Sequence, residues 1–197
     1  MSGAGFLAEP EPTEERRQFL DDDLTEPGFI MNVTRLWAHQ PSALVALFDL
    51  LRVINAPHRF SYRERGILIA ACTSASHDSY CTLSWGSKLA AATDVATAVS
   101  VVLGDDGPLS DTERAMAEWA RKVARDPNGT SAADVQQLRD AGLTDPQIFA
   151  ITAFVAARIA YATVNNALGA QPDAELAAKA PRELVEAITY GRPVEDS

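Results

Sequence analysis

At 197 residues with 47% hydrophobic content, the chain can bury a core as one domain or as two closely packed helical halves, which excludes a disordered or fibrous polymer. Its net charge of −10, with lysines and arginines scattered rather than clustered, argues against nucleic acid, which demands phosphate neutralisation, and an acidic surface repels anionic membranes. Cys72 and Cys81 make no disulfide framework, and the first thirty residues lack the basic start and apolar stretch of a secretion signal, so a cytoplasmic location is expected.

Apolar residues recur at spacings of three and four, with no sustained alternation at two, so an all-α fold is predicted. The expected organisation is an acidic N-terminal arm with a short helix (1–27), a helical half carrying Cys81 (28–104), and a second helical half with a C-terminal tail (105–197), packed as one compact unit. In the arm, Thr13 caps a helix through about Asp23, which Thr25-Glu26-Pro27-Gly28 ends. Another helix runs from about Met31 to His39. Pro41 suits a first helical position, and Leu44, Leu47, Phe48, Leu51 and Ile54 then lie along one face until Asn55-Ala56-Pro57. Ser61 and Glu64 have the spacing of a capping box, in which each side chain satisfies a backbone donor of the other's turn, and they open a helix ending near Ser76. The next helix carries Cys81 and continues with Leu89-Ala90-Ala91. Gly104-Asp105-Asp106-Gly107-Pro108 then connects the two halves.

Ser110 with Glu113 caps a helix whose Met116, Trp119, Ala120 and Val123 form one apolar face, and Ser131 with Asp134 opens a short one. Thr144 with Gln147 starts a long segment, Ile148 to about Leu168, whose only charge beyond its first turn is Arg158. Capping chemistry at its start and a charge near its middle argue for a buried central or subunit-contact helix rather than a membrane span. A tail helix runs from about Arg182 to Tyr190, ended by Gly191.

The stretch from Ala70 to Ala90 concentrates the chemistry. If Asp78 or Ser79 is the cap, Cys81 falls in the first turn of its helix, where unpaired N–H groups and the positive end of the helix dipole favour a thiolate. His77 precedes Cys81 by four residues and is a candidate proton relay. Asp78 acts in the opposite direction on charge, since a carboxylate near a thiolate raises its pKa; it reads first as a helix cap and second as a catalytic acid. Trp85, one turn beyond Cys81, is placed to roof a pocket for a small apolar substrate, and Tyr80 to orient a ligand through its hydroxyl, although both also fit core packing. Glu64 has a sufficient structural task in its capping box and a catalytic one as the alternative. Cys72, inside the apolar run, reads as core.

These residues resemble the alkylhydroperoxidase D-like group of the carboxymuconolactone decarboxylase superfamily, in its peroxidase-related branch. The resemblance is carried by the capped apolar helix, the Tyr80-Cys81 step and Leu89-Ala90-Ala91, by Gly28-Phe29-Ile30-Met31-Asn32 before Pro41, and by Leu138-Arg139-Asp140-Ala141-Gly142-Leu143-Thr144-Asp145. It spans most of residues 28 to 169 and implies an all-helical homo-oligomer, a trimer or larger. The redox members use a glutamate on the preceding helix, a Cys-x-x-Cys pair and a histidine four residues after the second cysteine. Here the second cysteine falls on Cys81, the first on Asp78, the histidine on Trp85 and the glutamate on Gly66. Glu64 is not equivalent, because two residues turn a helix by roughly 200°. An oxidised Cys81 would therefore depend on an external thiol or a neighbouring subunit.

Three function classes follow. The first is a thiol-dependent oxidoreductase reducing hydroperoxides or related electrophiles, with Cys81 as nucleophile, His77 and Asp78 assisting, Tyr80, Trp85 and Glu64 around the substrate, and no cofactor or metal. The second is a lyase or decarboxylase of small organic acids, with His77 and Asp78 as base and acid. The third is an inactive oligomeric scaffold.

Overall fold

The computed structural model describes residues 5–195, and among them the protein contains eleven α-helices, one 3-10 turn and no strand. Local capping chemistry sets most helix starts. Helix α1 (Glu14–Thr25) opens where the Thr13 side chain accepts the Arg16 N–H at 3.2 Å. Helix α2 (Asn32–Trp37) is a single buried stretch, and α3 (Pro41–Asn55) starts on its proline. Helix α4 (Tyr62–Ala75) has both bonds of its capping box, Glu64 N–H to Ser61 Oγ at 3.1 Å and Ser61 N–H to Glu64 Oε2 at 2.7 Å.

Helix α5 (Ser79–Ala92) carries Cys81. Beyond it lies a break that the apolar pattern hides: α6 (Val95–Leu103) is a separate helix, because Asp94 caps the Thr97 N–H at 2.8 Å and also accepts its hydroxyl. Helices α7 (Asp111–Arg125) and α8 (Ala132–Asp140) begin at the expected capping boxes of Ser110 and Ser131. The long α9 (Asp145–Ala167) follows. The tail forms α10 (Ala174–Lys179), which the sequence pattern does not announce, and α11 (Arg182–Ala187), which ends three residues before Tyr190 rather than at it.

Helix α4 is the axis of the molecule. Its residues from Gly66 to Ser74 are all buried, and it packs against α5, α6, α7 and α9, so the two halves share one core. Gly66 makes the approach to α5 possible, since a Cβ there would lie 3.2 Å from Leu89 Cδ1. A glutamate at this position, as in the redox members of the resembled family, would press into Leu89. Helix α9 is long and apolar enough to cross a bilayer by composition. In this fold half of that stretch is buried, packed on α3, α4, α7 and α8. A second, smaller cluster joins Val33, Leu36, Leu44, Tyr80, Cys81 and Tyr161. At the α6–α7 corner, Arg121 donates to both Asp106 carboxylate oxygens, at 2.6 and 2.7 Å, and to the Val101 carbonyl at 2.8 Å.

Candidate functional site

The corner between α4 and α5 places the cysteine. Helix α4 ends in a Schellman arrangement, with the His77 N–H donating to the Ser74 carbonyl at 3.1 Å and the Asp78 N–H to Thr73 at 2.9 Å. His77 takes the left-handed conformation that this ending requires, with φ of 56°. Asp78, wholly buried, then caps α5 by accepting the Cys81 N–H on Oδ1 at 3.1 Å. Two helices joined by three residues, Ser76 to Asp78, thus hold Cys81 on the first turn of α5, 2% exposed, on the wall of a cavity of about 370 Å³.

The cavity opens where the two apolar clusters meet. Val33, Leu51, Ile69 and Phe154 supply aliphatic and aromatic wall, and Tyr80, Trp85 and Tyr161 line the cavity with Cys81. Tyr161 is fixed by stacking on Trp37, with centroids 5.7 Å apart, and the Trp37 Nε1–H donates to Asn165 Oδ1 at 2.8 Å. The Tyr80 hydroxyl donates to Asp173, whose other oxygen accepts the Asn32 N–H at 2.7 Å. Four cationic side chains also line it: Arg52, Arg65, Lys88 and Arg158. Arg158 lies over the rings of Trp85, at 5.4 Å, and Tyr161, at 5.1 Å.

Electrostatics at the sulfur differ from the expectation drawn from the helix start. Burial pushes the Cys81 thiol well above its ordinary range, the Asp78 carboxylate raises it further, and Arg158 pulls in the other direction. The N–H group that would have favoured a thiolate is taken by Asp78. The surroundings of Cys81 thus favour the thiol over the thiolate. Burial likewise raises Asp78, against the lowering effects of Cys81 and Arg158, and its Oδ2 has no hydrogen-bond partner. Lys88 is lowered, first by burial and then by Arg158.

Of the residues singled out in the sequence, Cys81, Tyr80 and Trp85 line the cavity and Asp78 stands beside the sulfur. His77 does not line it. That side chain is exposed and its ring rests on Tyr190 at 5.3 Å, because the left-handed turn carries it outward. Glu64 does not line it either, being held at the start of α4 by Ser61. Cys72 lies in the main core, pushed up to about 12 by burial, and both cysteines are free. Sequence reasoning passed over Arg65, Lys88, Arg158 and Tyr161 as site residues. Only Arg158 carries a signal, as the sole charge in the body of α9. Among the described residues no three His, Cys, Asp or Glu side chains are grouped to hold a metal ion.

No family model matches the chain, and no curated protein matches it in sequence. Solved structures do match in fold. An uncharacterised peroxidase-related protein from Ralstonia eutropha JMP134, described as an alkylhydroperoxidase AhpD core, is 24% identical with a TM-score of 0.77, over 89% of this chain and 96% of that one. A peroxidase-related protein from Silicibacter sp. TM1040 is 21% identical, with a TM-score of 0.78 over 89% and 95% of the two chains. The debrominase Bmp8 is 16% identical, with a TM-score of 0.70 over 89% and 92%, and a variant of it has been solved with 2,3,4-tribromopyrrole.

Proposed function

We propose, from the premise that this chain has the alkylhydroperoxidase AhpD-like fold, that it is a thiol-dependent oxidoreductase acting on hydroperoxides or related electrophiles through Cys81. One observation carries the reading: Cys81 is the cysteine on the cavity wall, which Arg158 also lines, and the charges of Asp78 and Arg158 both act on its sulfur. Asp78 takes the thiol proton, and Arg158 shares the charge that appears on sulfur. The sulfur attacks the outer oxygen of the hydroperoxide, so that an S–O bond forms and the O–O bond breaks. The departing oxygen takes the proton from Asp78 and leaves as an alcohol. Cys81 is oxidised by two electrons to a sulfenic acid as the hydroperoxide is reduced. An external thiol then forms a mixed disulfide with loss of water, and a second thiol releases Cys81 as the free thiol with an external disulfide.

A halogen on a flat heteroaromatic ring belongs to the same class of electrophile, and the likeness to a debrominase supports including it. Assembly into a homo-oligomer is part of the proposal, supported by the exposed apolar side chains Val53 on α3 and Phe149 on α9. The test is hydroperoxide consumption in the presence of a small dithiol. Cys81→Ser should abolish it and Cys72→Ser should retain it, and equal activity in the two variants overturns the reading.

A further inference from the structure

We infer that the Cys81 cavity takes a small carboxylate with an apolar body, anchored by Arg158; the identity of the molecule's reacting end rests on the thiol reading above, the anchoring does not. The chain carries a net charge of −10, yet four of its 17 lysines and arginines line this cavity, and no aspartate or glutamate does. Arg52 is paired with Asp49. Arg65, Lys88 and Arg158 make no ion pair among the described residues, and the Nε atoms of Arg65 and Arg158 are buried without a hydrogen-bond partner.

Arg158 is the decisive residue, because it is only 5% exposed and lines the same cavity as Cys81. A buried guanidinium without a carboxylate carries a desolvation cost that an anionic ligand offsets. Asp78 feels the charge of Arg158 but makes no ion pair with it within 4.0 Å, so the buried Nε–H of Arg158 is left without an acceptor. Stacking over Trp85 and Tyr161 occupies the guanidinium's π surface, while its in-plane N–H groups match the two oxygens of a carboxylate.

The remaining lining selects among anions. A phosphate is ordinarily held by free backbone N–H groups at a helix start. The helix start at this cavity belongs to α5, and there Asp78 accepts the Cys81 N–H. Val33, Leu51, Ile69 and Phe154 offer an apolar body dispersion and burial instead of water, in a volume of about 370 Å³. With the carboxylate on Arg158 the other end of such a molecule lies within reach of Cys81, so the substrate class is a hydroperoxide, or a related electrophile, of an apolar organic acid.

Calorimetric titration of the full chain with 2-naphthoate and with its uncharged counterpart 2-naphthamide tests the anchor without any mutation. The carboxylate should bind about tenfold or more tightly than the amide. Arg158→Gln should remove that difference, Arg158→Lys should keep only part of it, and Cys81→Ser should leave it intact. Circular dichroism on each variant confirms that it is folded. Equal binding of the two probes to the unmodified protein overturns the proposal, as does a carboxylate preference that survives in folded Arg158→Gln. A second arm compares turnover of a carboxylate-bearing fatty-acid hydroperoxide with cumene hydroperoxide. Cys81-dependent turnover of both without carboxylate preference in binding sinks the anchor and leaves the thiol reading standing. Arg158-dependent carboxylate binding without Cys81-dependent turnover does the reverse.

Discussion

Replacing Asp78 with asparagine separates the charge of that side chain from its shape. Asparagine caps a helix as well as aspartate does, so the bond from the Cys81 N–H is kept while the negative charge beside the sulfur goes. Burial, the larger cause of the raised thiol, stays in place and only the second cause is removed. A like charge in contact shifts ionisation by about one to three pKa units, each a tenfold change in thiolate fraction at a pH below the pKa. The more acidic thiol is also a weaker nucleophile, with a Brønsted coefficient of about 0.4–0.5, which takes back roughly half of each power of ten. Alkylation of Cys81 by iodoacetamide at pH 8 should therefore accelerate by about threefold to thirtyfold in Asp78→Asn, measured by peptide mass mapping over time. In the unmodified protein the rate should climb with pH through about 9 without levelling, because the thiol is held above the ordinary range; the variant's profile is displaced to lower pH. On the proposed mechanism, hydroperoxide turnover should move the other way, since the proposed proton acceptor is gone. Equal or slower alkylation in Asp78→Asn would mean that the carboxyl group is protonated beside the thiol, and it would refute the charge argument.

Three further changes test the fold around the site. Arg121→Met leaves the Asp106 carboxylate buried and unpaired and frees the Val101 carbonyl, at a cost of about 3–5 kcal/mol in urea unfolding. Adding Asp106→Asn, which removes the buried charge and tolerates the left-handed φ of 56°, should recover part of that loss, and a single-variant cost below about 1 kcal/mol would show that the pair does not hold the corner. Leu184→Ala removes a fully buried side chain whose Cδ1 would lie 2.9 Å from a Cβ at Gly86, and should cost about 2–5 kcal/mol; a loss under about 1 kcal/mol would mean that α11 is not anchored there. Asp134 is held at about 2 by Lys122 and Ser131, below an unfolded value of about 3.9. Its contribution is thus present above about pH 4 and is lost as pH falls through about 2, so Lys122→Met should lower Tm at neutral pH and have little effect near the acid limit. A Tm difference that persists undiminished at the acid end would contradict the assignment.

Helix starts were the most legible part of the fold, and for a local reason. Ser61 with Glu64, Ser110 with Glu113 and Ser131 with Asp134 each satisfy backbone donors within one turn, so no tertiary information is needed to place them. The division of α5 from α6 lacks such a marker. Asp94 caps Thr97 with no acid three residues on, inside a run of small and apolar residues that reads as one continuous helix. The short α10 is equally silent, because its preceding aspartate, Asp173, is engaged by Asn32 and Tyr80 instead of capping. The buried character of α9 was readable from Arg158, although the same observation gave no hint of the cavity.

At the site, the sequence argument went wrong on sign rather than on position. Cys81 does lie in the first turn of its helix, but a dipole argument treats the N–H groups there as free and the surroundings as wet. Asp78 occupies the relevant N–H, and α2, α3 and α9 remove the water, so desolvation outweighs the helix end. Arg158 presents the mirror problem. One charge in an apolar helix reads as a tolerated exception until the packing shows that, among the described residues, no carboxylate pairs with it within 4.0 Å. The two facts belong together. Burial that raises the Cys81 thiol also leaves the Arg158 Nε–H without an acceptor, and the charges of Asp78 and Arg158 act on the sulfur in opposite directions. On the proposed mechanism such a thiol gains nucleophilic character toward a substrate in the cavity as its proton passes to Asp78, while toward solvent reagents its reactivity still rises with pH.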